Sequence, residues 1–389
     1  MKRSLVGLVV CLLIAAACGP SAAPAPPGGA MPAARGQPAS GAPAASAPPP
    51  AGPGASQDDA AYRQQVIDGA RTEGQVNAAI QSAWTPDGIK QLEDAIQREF
   101  GVQLKINFTP VQNYIQRFAE LSSELAADAT PSFDLHQTSD ANAIMMLDQN
   151  LLEPVNWPAL LPKGTPPAIV KGDNRLVVVY TDHSGLIYDP AAIPEAEVPR
   201  SLKDLGNPKW RGKFMLWQYP SAYIPWVVHL GREQTIAALR AAMQNGAVAD
   251  TFANEFTRFT AKEYPMVANI GSYYYTAQLR GVSAAFAPLD LSANADHFVA
   301  VPRKAAHPNA AKLLAAVLVG PEGQHIAEAQ VGYSSRYYNG SADSRLEDAA
   351  RAAGFPSFVW WDSAEARAVA LTPEGQEIQK EIERVLQGG

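Results

Sequence analysis

The stretch that decides the fold is SLKDLGNPKWRGKFMLWQYPSAY, residues 201–223, because it sets a strand directly before a helix. Ser201 can accept a hydrogen bond from the amide of Asp204, which predicts a capped turn. After the break at 207–208, the apolar run 213–217 predicts a buried strand. A helix is predicted over residues 222–230, so Ser221 stands at a helix N-terminus. In open α/β sheets, small ligands bind at such junctions.

The preceding part of the chain alternates between strand and helix patterns. Strands are predicted over residues 75–80, 103–108 and 133–137, and helices over 87–100, 113–126 and 138–149. This order predicts the α/β class, with a mainly parallel sheet wrapped by helices. Further strands at 176–180 and 186–188 are predicted to carry the chain to a second lobe, and 298–302 to return it.

Three motifs resemble the extracellular solute-binding proteins of ABC importers, in the branch that includes the ferric-ion binding proteins. They are NLLEP at 150–154, NPKWRGK at 207–213, and HPNAAK at 307–312 followed by GPEGQ at 320–324. The resemblance implies a two-lobed, type 2 periplasmic-binding-protein fold that closes on a ligand in the cleft between its lobes. We expect the first lobe at 58–179 and 292–343, and the second at 180–291 and 344–389.

The N-terminus has the pattern of a signal peptide. Lys2 and Arg3 precede an apolar run at 5–14, which is too short to span a membrane. Small residues then lead to Cys18, and the resemblance implies cleavage after residue 17 and acylation of Cys18; an ordinary signal peptide is the alternative. Cys11 lies in the removed segment, so no disulfide, thiol nucleophile or thiolate metal site is expected in the mature protein.

Residues 18–57 are predicted to form a disordered tether, since Ala, Pro, Gly and Ser cannot bury enough apolar surface to fold. We therefore expect an extracytoplasmic monomer, anchored by lipid in the periplasm or at the cell surface, whose partner is a membrane permease. The net charge of −7 is spread along the chain without a Lys/Arg cluster, which excludes a nucleic-acid partner.

Loops that follow predicted strands supply the candidate ligand-binding residues. They are Trp84, Ser139, Ser221, Ala222, Tyr223, Tyr273 and Tyr274. Serines at helix N-termini suit an anionic group, although both can also be plain helix caps. Aromatic walls favour an organic solute, and they also suit cationic amines through their ring faces. The sequence favours a small organic, anionic solute and no cofactor.

Ferric iron with a synergistic anion is the alternative ligand. In the ferric-binding proteins that the chain resembles, a Tyr-Tyr pair supplies phenolate ligands. Tyr273-Tyr274 is the best match, and Tyr274-Tyr275, one residue further on, is the alternative pair. Two departures count against iron, which needs several oxygen ligands. Ser139 stands where the iron binders carry a carboxylate, and Trp84 stands near the place of their histidine.

An enzyme is not predicted. Asp182, His183 and Ser184 are consecutive, and neighbours in a strand point to opposite faces, so they cannot form a triad among themselves. The chain lacks the G-x-S-x-G, H-E-x-x-H, C-x-x-C and G-x-x-x-x-G-K motifs. Thiaminase-like relatives of the resembled family use a cysteine nucleophile, which the mature chain would not contain.

Overall fold

The computed structural model describes residues 57–111 and 113–388. The predicted signal peptide, Cys18 and the tether up to residue 56 lie outside these described residues. Helix α1 opens the described chain at Gln57, the residue at which the tether was predicted to end. All described residues belong to one compact unit.

Strands and helices alternate from residue 57 to residue 148, as predicted. The strands are β1 Gln75–Gln81, β2 Lys105–Val111, β3 Leu135–Ser139, β4 Val170–Lys171 and β5 Leu176–Tyr188. The helices are α1 Gln57–Glu73, α2 Pro86–Phe100, α3 Tyr114–Ala126, α4 Asp140–Asp148 and α5 Trp157–Leu160.

The central part of the chain contains five further strands and four helices. The strands are β6 Phe214–Trp217, β7 Val248–Asp250, β8 Met266–Ile270, β9 Ala285–Ala287 and β10 Ser292–Ala300. The helices are α6 Ile224–Leu230, α7 Arg232–Gln244, α8 Phe252–Thr260 and α9 Gly271–Leu279. The remaining elements are α10 Pro308–Val319, α11 Pro321–Val331, α12 Ala342–Ala352, β11 Ser357–Val359, α13 Ala364–Leu371 and α14 Pro373–Leu386.

Local sequence explains the individual elements, and α2 is representative. Thr85 caps this helix by accepting from the amide of Gly88 at 3.0 Å, and Gly101 ends it in a left-handed conformation with φ of 65°. The apolar residues predicted to share one face, Ile89, Leu92, Ile96 and Phe100, are all buried. The capped turn at Ser201 and Asp204 is also present, with the two residues bonding each other reciprocally.

Strand β5 is longer than predicted. Residues 176–188 form one strand, whereas the sequence predicted two short strands separated by the polar stretch 181–185. The polar stretch can remain in the strand because β10 pairs with β5 there in antiparallel register, and this pairing supplies hydrogen-bond partners for the backbone groups. The prediction also omitted β7 and α8, although Phe252, Phe256 and Phe259 follow the helical period.

The strands follow the order β2-β1-β3-β10-β5-β8-β6-β7. The pairs β1–β2 and β1–β3 at one end and β6–β7 and β6–β8 at the other are parallel. The central pairs β3–β10, β10–β5 and β5–β8 are antiparallel. Strands β5 and β10 therefore join two parallel sheets, and we call them the crossing strands.

Two hydrophobic cores lie on either side of the polar stretch of β5. The first core includes residues 176–180 of β5 and 298–300 of β10, packed with α2, α10 and α11. The second core includes Leu186 and Tyr188 of β5, packed with β6, α6, α7 and α14. The polar stretch of β5 is thus the part of the strand that lies between the cores. Across residues 57–111 and 113–388, no helix is both long and apolar enough to cross a membrane.

Candidate functional site

The polar stretch of the crossing strands presents different residues on its two faces. Side chains alternate along a strand, so Tyr180 and Asp182 share one face of β5, and Thr181 and His183 share the other. His297 of β10 lies on the face of Tyr180 and Asp182, since it contacts both residues. The first face carries stacked rings, and the second carries a hydrogen-bond network.

Stacked rings cover the first face. The ring of Tyr180 lies parallel to His297, with centroids 4.1 Å apart, and it also stacks on Tyr333 at 4.2 Å. Tyr114, at the start of α3, lies 5.6 Å from the His297 ring, and its hydroxyl is 3.4 Å from that of Tyr180. Burial raises the pKa of Tyr114 to about 12, so this phenol is neutral at physiological pH. We call Tyr114, Tyr180, Asp182, His297 and Tyr333 the crossing-strand cluster.

Asp182 is the charged member of the crossing-strand cluster. Its Oδ2 lies 3.2 Å from His297 Nε2, whereas its Oδ1 has no hydrogen-bond partner among the described residues. The residue is 5% exposed. Its negative charge contributes to the raised pKa values of Tyr114, Tyr180 and Tyr333, although burial is the largest cause for each.

The opposite face is an internal hydrogen-bond network. Thr181 Oγ1 donates to Asp296 Oδ1 at 2.8 Å, and the hydroxyl of Tyr337 donates to Asp296 Oδ2 at 3.0 Å. Arg336 contributes a further contact, with its Nε 3.4 Å from Asp296 Oδ1. On the same face, burial lowers the pKa of His183 to about 4, so this histidine is neutral. We assign this face a structural role.

Two predicted residues of the first lobe lie close to the crossing-strand cluster. Trp84 is buried and meets the ring of Tyr333 edge-on, with centroids 6.2 Å apart. Ser139 ends β3 and is paired with His297 in the β3–β10 ladder. Although Ser139 precedes α4, its side chain does not cap that helix; its Oγ accepts from Asn142 Nδ2 at 3.2 Å.

The predicted residues at the β6–α6 junction occupy different environments. The structure places a 3₁₀ turn at Pro220–Tyr223, and α6 begins only at Ile224. The prediction that Ser221 caps a helix starting at Ala222 is therefore wrong, because the turn shifts the cap position to Tyr223. Ser221 is exposed, and Ala222 packs against the second core. Tyr223 is fully buried in that core, and its hydroxyl donates to the carbonyl of Trp217 at 2.9 Å.

Only one tyrosine of helix α9 has Asp182 among its electrostatic neighbours. Successive residues of a helix point about 100° apart, so adjacent side chains face different surroundings. Tyr273 packs on Phe256 at 5.1 Å, and its pKa is raised by burial first and then by the charge of Asp182. Tyr274 instead accepts from Gln278 Nε2 at 2.8 Å and packs beside Phe286. Both tyrosines border the same small apolar cluster, but the rings and the hydrogen-bond partner that each contacts differ.

A buried carboxyl group lies near Tyr273. Glu255 of α8 is 0% exposed, and Asn269 Nδ2 lies 3.3 Å from its Oε2. Burial, and secondarily the charge of Asp250, raises the pKa of Glu255 to about 10, so its carboxyl group is neutral at physiological pH. Glu255 therefore adds hydrogen-bonding capacity to this part of the second lobe without adding charge.

No group of three His, Cys, Asp or Glu side chains within residues 57–111 and 113–388 could hold a metal ion. A site for a hard cation would have to use tyrosine oxygens. Burial raises the pKa of both Tyr273 and Tyr274, which opposes the phenolate form that such a cation requires.

Comparisons with known proteins establish the family. The family model described as "Bacterial extracellular solute-binding protein" matches residues 91–336, and the chain belongs to this family. A search of curated proteins finds no match. Membership of a solute-binding family confirms the predicted class of protein and the prediction that the chain is not an enzyme.

Solved structures of similar fold agree with this assignment. The substrate-binding protein of an ABC transporter from Agrobacterium tumefaciens gives a TM-score of 0.66 at 12% identity, covering 80% of this chain and 94% of that one. The binding protein AgtB from A. tumefaciens R10, in complex with agropinic acid, gives 0.61 at 13%, covering 80% and 99%. Iron-bound HitA from Pseudomonas aeruginosa gives 0.59 at 19%, also covering 80% and 99%. These similarities confirm the predicted two-lobed α/β fold.

Sequence reasoning missed most of the crossing-strand cluster. It considered Asp182 only as a partner for its neighbours in the chain, and it did not consider Tyr114, Tyr180, His297 or Tyr333 as site residues. One signal was available: the polar run at 181–185 separates two apolar runs within a single strand. A polar run in that position indicates a part of the strand that lies outside both cores.

Proposed function

We propose that this chain is the substrate-binding lipoprotein of an ABC importer, which captures a small organic solute between its two lobes and delivers it to a membrane permease. One observation carries the proposal. Asp182 lies on a strand that joins the two cores, and its partner His297, 3.2 Å away, is packed against Tyr180 and Tyr114. The charge of Asp182 also contributes to the raised pKa of Tyr273 in the second lobe. A ligand enclosed by hinge closure needs side chains from both lobes around a shared point.

The surroundings of the tyrosines favour an organic solute over ferric iron. The rings of the predicted iron ligands, Tyr273 and Tyr274, contact different aromatic side chains, and the hydroxyl of Tyr274 already accepts a hydrogen bond from Gln278. Aromatic rings with few free donors match the lining of organic-ligand sites. Ferric iron with a synergistic anion remains the alternative, because iron-bound HitA shares the fold.

The structure gives less support for an anionic solute than the sequence did. That expectation depended on two serine hydroxyls at helix N-termini, and only Ser139 directly precedes a helix. The proposal is therefore a small organic solute bound near Asp182, Trp84, Ser139 and Tyr273.

Lipid anchoring completes the proposal. Acylation of Cys18 would hold the protein at the outer side of a membrane, and the segment 18–56 would let a monomeric body reach the permease. Family membership supports the extracytoplasmic location, since the family is extracellular.

Native mass spectrometry of the full chain, extracted from membranes in mild detergent without refolding, tests the proposal. We expect an organic adduct that leaves on mild unfolding, and its mass identifies the solute. A mass increase equal to one iron atom with a small anion would favour the alternative. A protein that carries no small molecule, whichever growth medium is used, would contradict both.

A further inference from the structure

The carboxylate of Asp182 is buried with only half of its hydrogen-bonding capacity used. Its Oδ2 faces His297 Nε2 at 3.2 Å, and its Oδ1 has no partner in the described part of the chain. The residue is 95% buried. Leaving a buried charged oxygen without a donor is unfavourable, so proteins keep such a group where something else supplies the donor.

Charged side chains of the protein do not supply that donor. Among the described residues, no lysine or arginine forms an ion pair with Asp182. Arg336 is engaged elsewhere, because it contacts Asp296 of the opposite face and Glu347. Among the described residues, His297 is the one ion-pair partner of Asp182.

Tyrosine hydroxyls do not supply the donor either. The hydroxyl of Tyr114 lies 3.4 Å from that of Tyr180 and accepts from Gln137 Nε2 at 2.8 Å. Both tyrosines lie close enough to Asp182 for its charge to raise their pKa values, yet neither donates to it.

Aromatic rings surround His297, the partner of Asp182. Tyr180 is stacked between His297 and Tyr333, and Trp84 meets Tyr333 edge-on. Tyr273 of α9, in the second lobe, is partly exposed, and the charge of Asp182 is among the causes that raise its pKa. A carboxylate among aromatic rings is the arrangement that recognises organic cations, because the ring faces and the carboxylate both attract positive charge.

We propose that the solute carries a positively charged nitrogen that binds beside Asp182 Oδ1, near Tyr273. A primary ammonium would donate a hydrogen bond to this oxygen, whereas a quaternary ammonium would pair with it through charge alone. This inference rests on the proposed function and names its substrate class. Of the organic solutes that aromatic side chains favour, the inference specifies the cationic amines.

Isothermal titration of the full chain in mild detergent, after removal of any bound solute, tests the inference. The probes are the cations choline, putrescine and arginine methyl ester, the anions succinate and phosphonoacetate, and 3,3-dimethylbutan-1-ol, the neutral isostere of choline. We expect at least one cation to bind. If that cation is choline, it should bind about 10- to 100-fold more tightly than the neutral isostere, as expected for a charged hydrogen bond or ion pair.

Two variants separate a ligand contact from a structural ion pair. Asp182→Asn keeps the shape and removes the charge, and it should weaken cation binding by about 10- to 100-fold. Asp173→Asn makes the same chemical change at a side chain that is 98% exposed and whose φ of 52° suits asparagine, so it should leave the affinity unchanged. If Asp182→Asn does not fold, Tyr273→Leu replaces it, because loss of the ring face should also weaken cation binding.

The outcomes are distinct. Saturable binding of succinate or phosphonoacetate without binding of any cation would overturn the inference and leave the proposed function intact. Cation binding that is equal in wild type, Asp182→Asn and Tyr273→Leu would also overturn it, and would assign Asp182 and His297 to the scaffold. A chain that binds no probe and carries no adduct in the native spectrum would instead remove the proposed function.

Discussion

Gln324 donates a hydrogen bond to the carbonyl of Val179 at 2.7 Å and so fixes helix α11 to the crossing strand that carries Tyr180 and Asp182. The same Nε2 lies 2.9 Å from the carbonyl of Leu318, and Oε1 accepts from the amide of Ser335 at 2.7 Å. Every polar atom of this buried amide is thus used. Gln324 is the last residue of the G-P-E-G-Q motif at 320–324. Its hydrogen bonds give that motif a structural role.

The tetrapeptide Pro-Glu-Gly-Gln occurs a second time, at 373–376, where it opens α14. In both places the glycine lies against the preceding helix. A Cβ on Gly323 would be 1.9 Å from the carbonyl oxygen of Val317, and one on Gly375 would be 2.4 Å from that of Val369. In both copies the glycine allows two consecutive helices to pack closely together. Gln324 of the first copy is buried, whereas Gln376 of the second is exposed.

This pair of motifs provides a matched test of the role of Gln324. Gln324→Ala should lower the free energy of unfolding by about 2–4 kcal/mol, because it leaves buried backbone groups at Val179, Leu318 and Ser335 without partners. Gln376→Ala, at an exposed position in the same motif, should change it by less than about 0.5 kcal/mol. Equilibrium urea denaturation measures both. Equal effects of the two substitutions would show that the hydrogen bonds of Gln324 contribute little.

Tyr273 and Tyr274 should differ in their effect on solute binding. Tyr273→Phe should weaken binding of the solute recovered from the native protein by about 3- to 10-fold, through loss of one hydrogen bond. Tyr274→Phe should leave the affinity within about twofold, because its hydroxyl bonds Gln278 within α9. Titration calorimetry measures both variants against wild type. A larger loss for Tyr274→Phe would place the other side of α9 against the ligand.

Ferric salt should leave the protein colourless. Tyrosinate-to-iron charge transfer requires phenolate ligands at a shared metal, and the surroundings of Tyr273 and Tyr274 differ. Visible absorption during titration with ferric citrate measures the effect. A band that appears in wild type and is lost in both Tyr→Phe variants would establish the iron alternative.

Glu255 should make the protein less stable as the pH rises. Its folded-state pKa of about 10 lies above the ordinary value of 4.5, so the folded carboxyl stays protonated while the unfolded one ionises. Unfolding then releases a proton between these two values, and the contribution of Glu255 to stability is lost as the pH rises from about 4.5 to about 10.

Urea denaturation of wild type and Glu255→Gln at pH 7 and pH 9 checks this prediction. Glutamine keeps an oxygen that can accept from Asn269 and cannot ionise, so the variant should lose part of the decline in stability between the two pH values. The rest of the decline in stability should persist in the variant, because burial also raises the pKa values of Asp140 and Asp343. Identical pH dependence in both proteins would show that Glu255 is ionised in the folded state.

Cys18 should decide membrane attachment. Cys18→Ser removes the thiol to which a lipid would be attached, so the protein should move from the detergent phase to the aqueous phase in Triton X-114 partitioning. Solute affinity should not change, because the body from Gln57 onwards is untouched. Partition of the variant into the detergent phase would contradict a lipid anchor at this residue.

The local sequence predicted the elements well where their signals are short in range. The cap at Ser201, the stop at Gly101 and the apolar face of α2 depend on residues a few positions apart. The turn at Pro220–Tyr223 shows the limit. A serine followed by an apolar run predicts a capped helix, yet the chain takes a 3₁₀ turn there while Tyr223 enters the second core and bonds the Trp217 carbonyl.

The sequence by itself determined the α/β class, the order of the elements and, through its motifs, the solute-binding family. Only the tertiary structure decided which polar residues meet. Asp182 and His297 come together because β5 pairs with β10 in one particular register, and Tyr333 joins them because α11 is fixed to β5 by Gln324. Periodicity reports the face on which a side chain lies, whereas the neighbours of that face are set by segments far away in the chain.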